Sequence, residues 1–152
     1  MKPKSNYIMN IRNATYKDAP FIKSLLASLG YTTNLSLLVD QLDRLFGQGD
    51  HQVYVYEVNM EVAGFVTVHY LPQLTFGGCT ALISDFTVDG SAKGLNIAAA
   101  LEKYVTDEAR KKRCERIQVN TLDWRTLSHP FYLSRGYQEF PKYFIKRLVY
   151  AE

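Results

Sequence analysis

Residues 88–101 join a strand-like apolar run to a long helical pattern through a short turn of small residues. The segment reads Val-Asp-Gly-Ser-Ala-Lys-Gly-Leu-Asn-Ile-Ala-Ala-Ala-Leu. The first backbone N–H groups of a helix have no acceptor within the helix, and a strand that turns abruptly into a helix aims several of them at one point. That arrangement binds phosphate groups. The segment therefore predicts a strand–turn–helix unit whose turn holds a phosphate-bearing ligand.

Apolar periodicity on both sides of this unit predicts the other elements. Two segments with apolar residues at three-to-four spacing predict helices that end at Gly30 and Gly47. Apolar runs at 53–58 and 62–70, joined by a tight turn, predict a β-hairpin. A short helix is predicted at 127–135, and further strands are predicted at 7–13, 80–88, 116–120 and 137–149, the last as one long strand or a strand pair.

The predicted order of elements is β-α-α-β-β-β-α-β-α-β. Antiparallel strands come first, and one strand–helix–strand crossover follows, which makes a right-handed connection and a parallel pair. We therefore expect an α/β fold with a mixed, mostly antiparallel sheet. At 152 residues, with no repeat, linker or low-complexity segment, the chain is expected to form a single domain over residues 1–152.

The composition is typical of a soluble globular protein, with 47% hydrophobic residues, 22% charged residues and a net charge of +3. The basic cluster at 110–113 favours a solvated helix end over a nucleic-acid interface, which would need a wider basic face. No apolar run approaches the roughly 20 residues that span a bilayer, so no membrane partner is expected. Residues 1–10 lack the apolar core of a signal peptide, which makes a cytoplasmic protein the expectation.

The cysteines and histidines do not indicate a metal site. Cys79 and Cys114 lack the spacing of a metal or redox motif, and each is expected to lie reduced in the interior. The histidines, His51, His69 and His129, are far apart in sequence and match no Cys/His ligand spacing. We therefore expect no bound metal.

Two motifs resemble those of the GNAT superfamily, the acyl-CoA-dependent N-acyltransferases, and the predicted order of elements resembles the family over nearly the whole chain. The first motif runs from residues 85–88, Asp-Phe-Thr-Val, into residues 93–98, Lys-Gly-Leu-Asn-Ile-Ala. The family pattern for the latter is Arg or Gln, two residues, Gly, one residue, and Gly or Ala. The second motif is Phe131-Tyr132 with Gly136-Tyr137, similar to the family's Phe-Tyr, three residues, and Gly-Phe or Gly-Tyr.

The chain departs from the first family pattern at two positions. Lys93 stands where Arg or Gln is usual, and Asn96 stands where the middle glycine is usual. Lysine still meets a phosphate as a point charge, although without the fork of arginine. Asparagine tolerates a positive φ better than other non-glycine residues. These departures leave two hypotheses open, an active transferase and a non-catalytic acyl-CoA-binding sensor or partner module of the same fold.

The resemblance implies a GNAT-like fold with splayed strands and an N-acetyltransferase that moves an acetyl group from acetyl-CoA to a primary amine of a small molecule or peptide, by direct attack and without a metal. The coenzyme diphosphate would lie on backbone amides at 94–98, and the pantetheine arm would pair with Phe86 and Val88 as an added strand. An amide at about Val88 would polarise the thioester carbonyl. The positions implied to contact the coenzyme are Phe86, Val88, Lys93, Gly94, Leu95, Asn96, Ile97, Ala98, Asn120, Arg125, His129 and Tyr132.

Tyr132 and Asp85 are the candidate catalytic residues. Tyr132 matches the family's general acid, and a phenol with a pKa of about 10 can give its proton to a departing thiolate. The other interpretation is that Tyr132 is one more packed aromatic among the 11 tyrosines of the chain. Asp85 either deprotonates the amine through water or binds its positive charge, or else it caps a loop or pairs with an arginine.

The roles of the remaining polar residues stay open. His129 either orients Tyr132 or touches the coenzyme, or it is a structural cap before Pro130. Arg125 either reaches a coenzyme phosphate or forms a surface salt bridge. His69 lies where an acceptor would bind, and His51 is placed in a loop and has no assigned role. An exposed edge strand makes a homodimer plausible.

Overall fold

The computed structural model describes residues 9–92, 96–120, 129–140 and 143–150. These belong to two compact units, Met1–Asn120 and Thr121–Glu152. The described part of the first unit contains β1 (Met9–Asn13), α1 (Ala19–Ser28), α2 (Leu35–Phe46), β2 (His51–Val58), β3 (Glu61–Pro72), β4 (Cys79–Val88), α3 (Ile97–Lys111) and β5 (Cys114–Val119). The described part of the second unit contains α4 (His129–Ser134). The predicted order of elements is confirmed from β1 to α4.

The strands β1 to β5 form one sheet in chain order. Neighbours from β1 to β4 are antiparallel, and β4 pairs with β5 in parallel, as the crossover through α3 predicts. The β4–β5 ladder ends at the pair Ile83 and Val119, so residues 84–88 extend beyond it. The two strands therefore part in the middle of β4, which is the arrangement expected of splayed strands.

Helices pack against both faces of the sheet. Ile97, Leu101 and Val105 of α3 are buried against one face, whereas Ile22 of α1 and Leu42 of α2 are buried against the other. Successive strand residues point to opposite faces, so each strand contributes to both cores. Tyr54, Val66 and Val68 face α3, and Val53, Val55 and Phe65 face α1 and α2. None of the helices in the described parts of the chain is long and apolar enough to cross a membrane.

A glycine at position 64 lets α3 approach the sheet closely. A Cβ on Gly64 would lie 3.0 Å from Cγ2 of Ile97, 3.2 Å from Cδ1 of Leu101 and 3.3 Å from the carbonyl oxygen of Thr87. Because Gly64 carries no side chain, the first turns of α3 rest directly on β3 beside the end of β4. This contact fixes the N-terminus of α3 next to the part of β4 that extends beyond β5.

An ion pair fixes the start of α1 against the sheet. Arg12 donates from Nη1 and Nη2 to the two carboxylate oxygens of Asp18, at 2.8 and 2.9 Å, and from Nε to Glu57 at 2.6 Å. The backbone N–H of Thr15 also donates to Asp18, at 2.7 Å, which is the carboxylate half of a capping box. Burial opposes the ionisation of Asp18, but the hydrogen bonds from Arg12 and Thr15 outweigh it and hold the pKa of Asp18 below its usual value.

The expectation of reduced cysteines is wrong, because Cys79 and Cys114 form a disulfide. The two residues are 35 positions apart in sequence. The parallel pairing of β4 with β5 nevertheless places them opposite each other, with their Cα atoms 4.3 Å apart. The short-range spacing of the cysteines could not reveal this contact, since the crossover through α3 creates it.

The predicted strand at 137–149 is not found in the described residues of that segment, 137–140 and 143–149, which form neither strand nor helix. Many of its large apolar side chains are exposed, including those of Phe140, Phe144 and Val149. A strand needs a neighbouring edge that completes its backbone hydrogen bonds. The apolar pattern predicted an extended segment, but it carried no information about such a partner.

Candidate active site

A β-bulge in β4 presents two polar side chains where β4 leaves β5. Asp85 pairs with Thr67 of β3 and Ile83 pairs with Val68, so Ser84 has no partner position in β3. Bulges re-aim side chains and bend the strand that contains them. Ser84 and Asp85 are both exposed, and they place a hydroxyl and a carboxyl group on the sheet face that carries α1 and α2.

His51 and His69 connect this bulge to the outer end of β2. His51 begins β2 and pairs with His69 of β3, so its placement in a loop is wrong. The Nδ1 atoms of the two rings lie 2.8 Å apart, and Nε2 of His69 lies 2.7 Å from Oγ of Ser84. The Ser84 hydroxyl also lies 3.4 Å from Oδ2 of Asp85. We call the side chains of Asp85, Ser84, His69 and His51 the polar chain. Both histidines are half-buried, so the polar chain runs from the exposed bulge in β4 to the start of β2.

The surroundings of His69 favour its neutral form. Burial lowers the pKa of His69 below its usual value of 6.5, and the adjacent His51 lowers it further. The carboxylate of Asp85 acts in the opposite direction but does not cancel these effects. His69 is therefore an unprotonated imidazole at neutral pH, able to accept a proton at one ring nitrogen. Its expected position beside an acceptor site stays a prediction.

The backbone of β4 beyond the bulge directs hydrogen-bonding groups away from β3. The N–H of Asp89 donates to the carbonyl of Ala63 in β3, at 2.7 Å. Because N–H groups alternate between the two edges of a strand, those of Phe86 and Val88 point to the opposite edge. The described part of β5 does not extend along that edge, since its pairing with β4 ends at Val119. An extended ligand arm can add to β4 there as a further strand.

The N-terminus of α3 begins at a residue with left-handed backbone, which asparagine tolerates. Asn96 is the N-cap residue and lies in the left-handed region, at φ 51° and ψ 38°. Its carbonyl oxygen accepts the N–H of Ala100 at 3.0 Å, which starts the helix. The first turn contains no acidic residue, so no carboxylate there opposes a bound anion. The predicted phosphate-contacting residues Lys93, Gly94 and Leu95 lie outside the described residues.

The other predicted coenzyme contacts of the first unit lie on β4, in the first turn of α3 and just after β5. Ile97 is buried in the core and Ala98 is half-buried in the first turn of α3. Phe86 and Val88 are half-buried and pack against the core under α3. Asn120 follows β5 directly and is exposed. The structure thus brings β4, the start of α3 and the end of β5 into one unit.

Tyr132 and His129 belong to α4 in the second unit. The half-buried ring of Tyr132 contacts Phe131 and Tyr137 edge to face, with centroids 5.3 and 5.5 Å apart. Gly136, at φ +90°, ends the helix, and the N–H of Tyr137 donates to the carbonyl of Tyr132 at 3.1 Å. The turn therefore folds Tyr137 back onto Tyr132 and supports its ring. Arg125 lies outside the described residues.

The described residues contain no group of three or more histidine, cysteine, aspartate or glutamate side chains that could hold a metal ion. The polar groups at the bulge are instead joined by hydrogen bonds between a hydroxyl, two imidazoles and a carboxylate. Such groups bind and move protons and attract cations. The arrangement is therefore suited to proton transfer beside a strand edge.

Solved structures share this fold at low sequence identity. A transcriptional regulator from Bacillus halodurans C-125 is 21% identical with a TM-score of 0.85, over 93% of this chain and 100% of that chain. The aminoglycoside N-acetyltransferase AAC(6')-Iy in complex with CoA is 14% identical with a TM-score of 0.82, over 97% and 99% of the two chains. A glucosamine-6-phosphate N-acetyltransferase from Arabidopsis thaliana is 17% identical with a TM-score of 0.79, over 93% and 99%. No curated protein matches the chain.

The sequence also matches a family model described as Acetyltransferase (GNAT) family, over residues 16–137. The match covers the described elements from the start of α1 to the end of α4. The low identities to the solved structures show the fold alone, whereas the family match extends over most of the chain. The chain belongs to the GNAT acetyltransferase family and is an acyltransferase.

Proposed function

We propose that the protein is an N-acetyltransferase that moves the acetyl group of acetyl-CoA to a primary amine of a small molecule or peptide, by direct attack of the amine on the thioester. The extension of β4 beyond β5, beside the N-terminus of α3, carries the proposal. A strand edge suits the amides of the pantetheine arm, and a helix N-terminus suits the negative charge of the diphosphate. In this proposal residues 1–152 act as one domain.

The proposed coenzyme contacts follow from these two features. The pantetheine arm pairs with the β4 edge at Phe86 and Val88, and the amide at Val88 polarises the thioester carbonyl. The diphosphate lies on the amides at the start of α3, where Asn96 gives the backbone its left-handed turn. The further proposed contacts are Lys93, Gly94, Leu95, Ile97, Ala98, Asn120, Arg125 and His129.

Tyr132 is the proposed general acid. The departing thiolate of the coenzyme needs a proton, and a phenol with a pKa of about 10 can supply it. The edge-to-face contacts of Tyr132 with Phe131 and Tyr137 restrict its ring, which favours donation in a fixed direction. A restricted hydroxyl loses less freedom when the transition state forms.

The proposed acceptor is an amine whose positive charge is attracted by Asp85. This carboxylate is exposed at the bulge, one residue before Phe86. Structures with this fold are named as N-acetyltransferases for aminoglycosides, for glucosamine-6-phosphate and for a ribosomal-protein alanine. Those names include small molecules and a protein, and the proposal covers the same range of acceptors.

Two measurements test the proposal, namely calorimetric binding of acetyl-CoA and thiol release in the presence of polyamines, aminoglycosides, amino acids and peptides. The variant Tyr132→Phe is expected to bind the coenzyme as the wild type does and to lose about 100-fold or more in rate, since general acid catalysis contributes at least that much. Tyr137→Phe is the matched control, because it removes a phenolic hydroxyl in the same way at a position where the family pattern also has phenylalanine.

The outcomes separate the hypotheses. Acetyl-CoA binding with no thiol release for any amine would support the non-catalytic acyl-CoA sensor instead. Failure of acetyl-CoA to bind would contradict both functions. An unchanged rate in Tyr132→Phe, with binding intact, would contradict the role of the tyrosine and leave the transferase in place.

A further inference from the structure

The contacts of the polar chain at the bulge allow a hydrogen-bond direction that runs from Ser84 to Gln48. Oε1 of Gln48 is an acceptor, so Nε2 of His51, 3.2 Å away, carries the proton. In this direction the other nitrogen of His51 is the acceptor, and His69 donates to it from Nδ1 at 2.8 Å. Nε2 of His69 is left as an acceptor, and the Ser84 hydroxyl donates to it at 2.7 Å. The single proton of the Ser84 hydroxyl points either to Oδ2 of Asp85, at 3.4 Å, or to Nε2 of His69, and when it points to His69 every donor from Ser84 to His51 points toward Gln48.

With this direction the polar chain can take up a proton at the bulge. Ser84 and Asp85 face solvent there, just before the β4 edge assigned to the coenzyme. We propose that the chain is a proton relay for the acyl transfer, in which Ser84 takes the proton of the acceptor ammonium while His69 and His51 carry a proton to solvent. The inference rests on the proposed N-acetyltransferase function. Ser84 is the catalytic residue in this relay, and the two histidines act through it.

The proton balance of the relay is complete without a further reactant. The ammonium gives one proton to Oγ of Ser84 as the Ser84 proton moves to Nε2 of His69. The Nδ1 proton of His69 moves to Nδ1 of His51, and the Nε2 proton of His51 passes to water. The neutral amine then attacks the thioester, so a carbon–nitrogen bond forms, the carbon–sulfur bond breaks, and the thiolate takes a proton from Tyr132. The second proton that the nitrogen loses as the amide forms returns to the Tyr132 phenolate, which restores the phenol.

The charges around His69 agree with this task. Among the residues that the structure describes, His51 of β2 and Asp85 of β4 are the titratable groups whose charges act on it. The lowered pKa of His69 keeps its imidazole free to accept at neutral pH. The Asp85 carboxylate stabilises the transient imidazolium, and it attracts the acceptor ammonium to the same place.

The test is the pH dependence of kcat/KM, measured with the alkylamine that the wild type acetylates fastest. The wild type is expected to reach a plateau above the lowered pKa of His69, because the relay removes the ammonium proton. His69→Gln and Ser84→Ala are expected to lose about 100-fold near neutral pH and to recover about tenfold per pH unit toward the pKa of the amine, since only amine that is already neutral can then react.

Gln52→Ala is the matched control, because Gln52 lies next to His51 in β2, pairs with Val68 and points to the opposite face of the sheet. Its pH profile should equal that of the wild type. Thermal unfolding shows whether each variant folds. If His69→Gln is unstable, Ser84→Ala still tests the relay, because it removes only an exposed hydroxyl.

Equal losses at every pH, or an unchanged rate in Ser84→Ala, would overturn the relay while the transferase stands. Absence of thiol release by the wild type with any amine would instead overturn the proposed function and the relay with it. In the free protein, ¹⁵N spectra should show the Nδ1-protonated tautomer of His69, and the Nε2-protonated tautomer would also overturn the relay.

Discussion

Nδ1 of His51 lies 2.8 Å from Nδ1 of His69, although the turn that joins their strands would not by itself place them opposite each other. Val58 pairs with Glu61 across that turn, and a regular ladder would then pair His51 with Val68. The register shifts by one residue between Tyr56 and Glu57, because Ala63 of β3 has no partner position in β2, and His51 pairs with His69 instead. The two imidazoles consequently lie on the same face of the sheet.

The half-buried position of His69 predicts a pH-dependent stability. Its folded pKa lies below the usual 6.5, so the unfolded chain binds more protons at mildly acidic pH. The stabilisation is fully present above the unfolded pKa and is lost as pH falls through the folded pKa. The slope from this one group cannot exceed about 1.4 kcal/mol per pH unit.

Urea unfolding at mildly acidic and at neutral pH measures this effect. His69→Gln is expected to lose less stability than the wild type as the pH falls, because its side chain does not titrate. Gln52→Ala should keep the wild-type dependence. Equal losses in the wild type and His69→Gln would show that His69 binds protons equally well in both states.

The periodicity of apolar residues was sufficient to predict the helices and most strands, because it reports which side chains are buried. Leu42 and Val55, for example, are buried where a helical and a strand pattern place them. The polar chain at the bulge depends instead on register, which two single-residue bulges change. Neither bulge has a residue signature in the sequence, so the contact of His69 with Ser84 could not be predicted.

Asn96 provides a test of the α3 N-terminus. Left-handed backbone costs an L-residue such as alanine about 1–2 kcal/mol. Asn96 has this backbone, so Asn96→Ala should lower the free energy of unfolding and weaken acetyl-CoA binding. Asn96→Gly should retain both, because glycine adopts the same φ without strain. Urea unfolding and calorimetry measure the two effects. Similar losses in both variants would show that the Asn96 side chain, rather than its φ, is required.

Gly64 tests the close contact between α3 and β3. Gly64→Ala adds a Cβ 3.0 Å from Cγ2 of Ile97 and 3.3 Å from the backbone oxygen of Thr87, so these neighbours must give by a few tenths of an ångström. We expect a loss of about 1–3 kcal/mol in the free energy of unfolding, which is usual for overpacking. Gly49→Ala is the control, since nothing lies within 4 Å of its added Cβ. A loss no larger than that of the control would contradict the close packing.

The disulfide between Cys79 and Cys114 predicts that reduction destabilises the protein. Its two residues are 35 positions apart, and opening a loop of that size restores entropy to the unfolded chain worth about 3–4 kcal/mol. Urea unfolding with and without a reducing agent measures the difference. The double variant Cys79→Ser, Cys114→Ser should have the stability of the reduced wild type and should not respond to the reducing agent.

The disulfide also lies at the end of β4 away from the proposed coenzyme edge, since Cys79 begins the strand and Val88 ends it. Five strand pairs from Cys79 to Ile83 hold β4 against β5 before the two strands part. The reduced protein should therefore still bind acetyl-CoA at temperatures where it remains folded. Loss of binding on reduction of a folded protein would show instead that the covalent link holds the splayed edge open, because backbone pairing alone would then be insufficient to keep it.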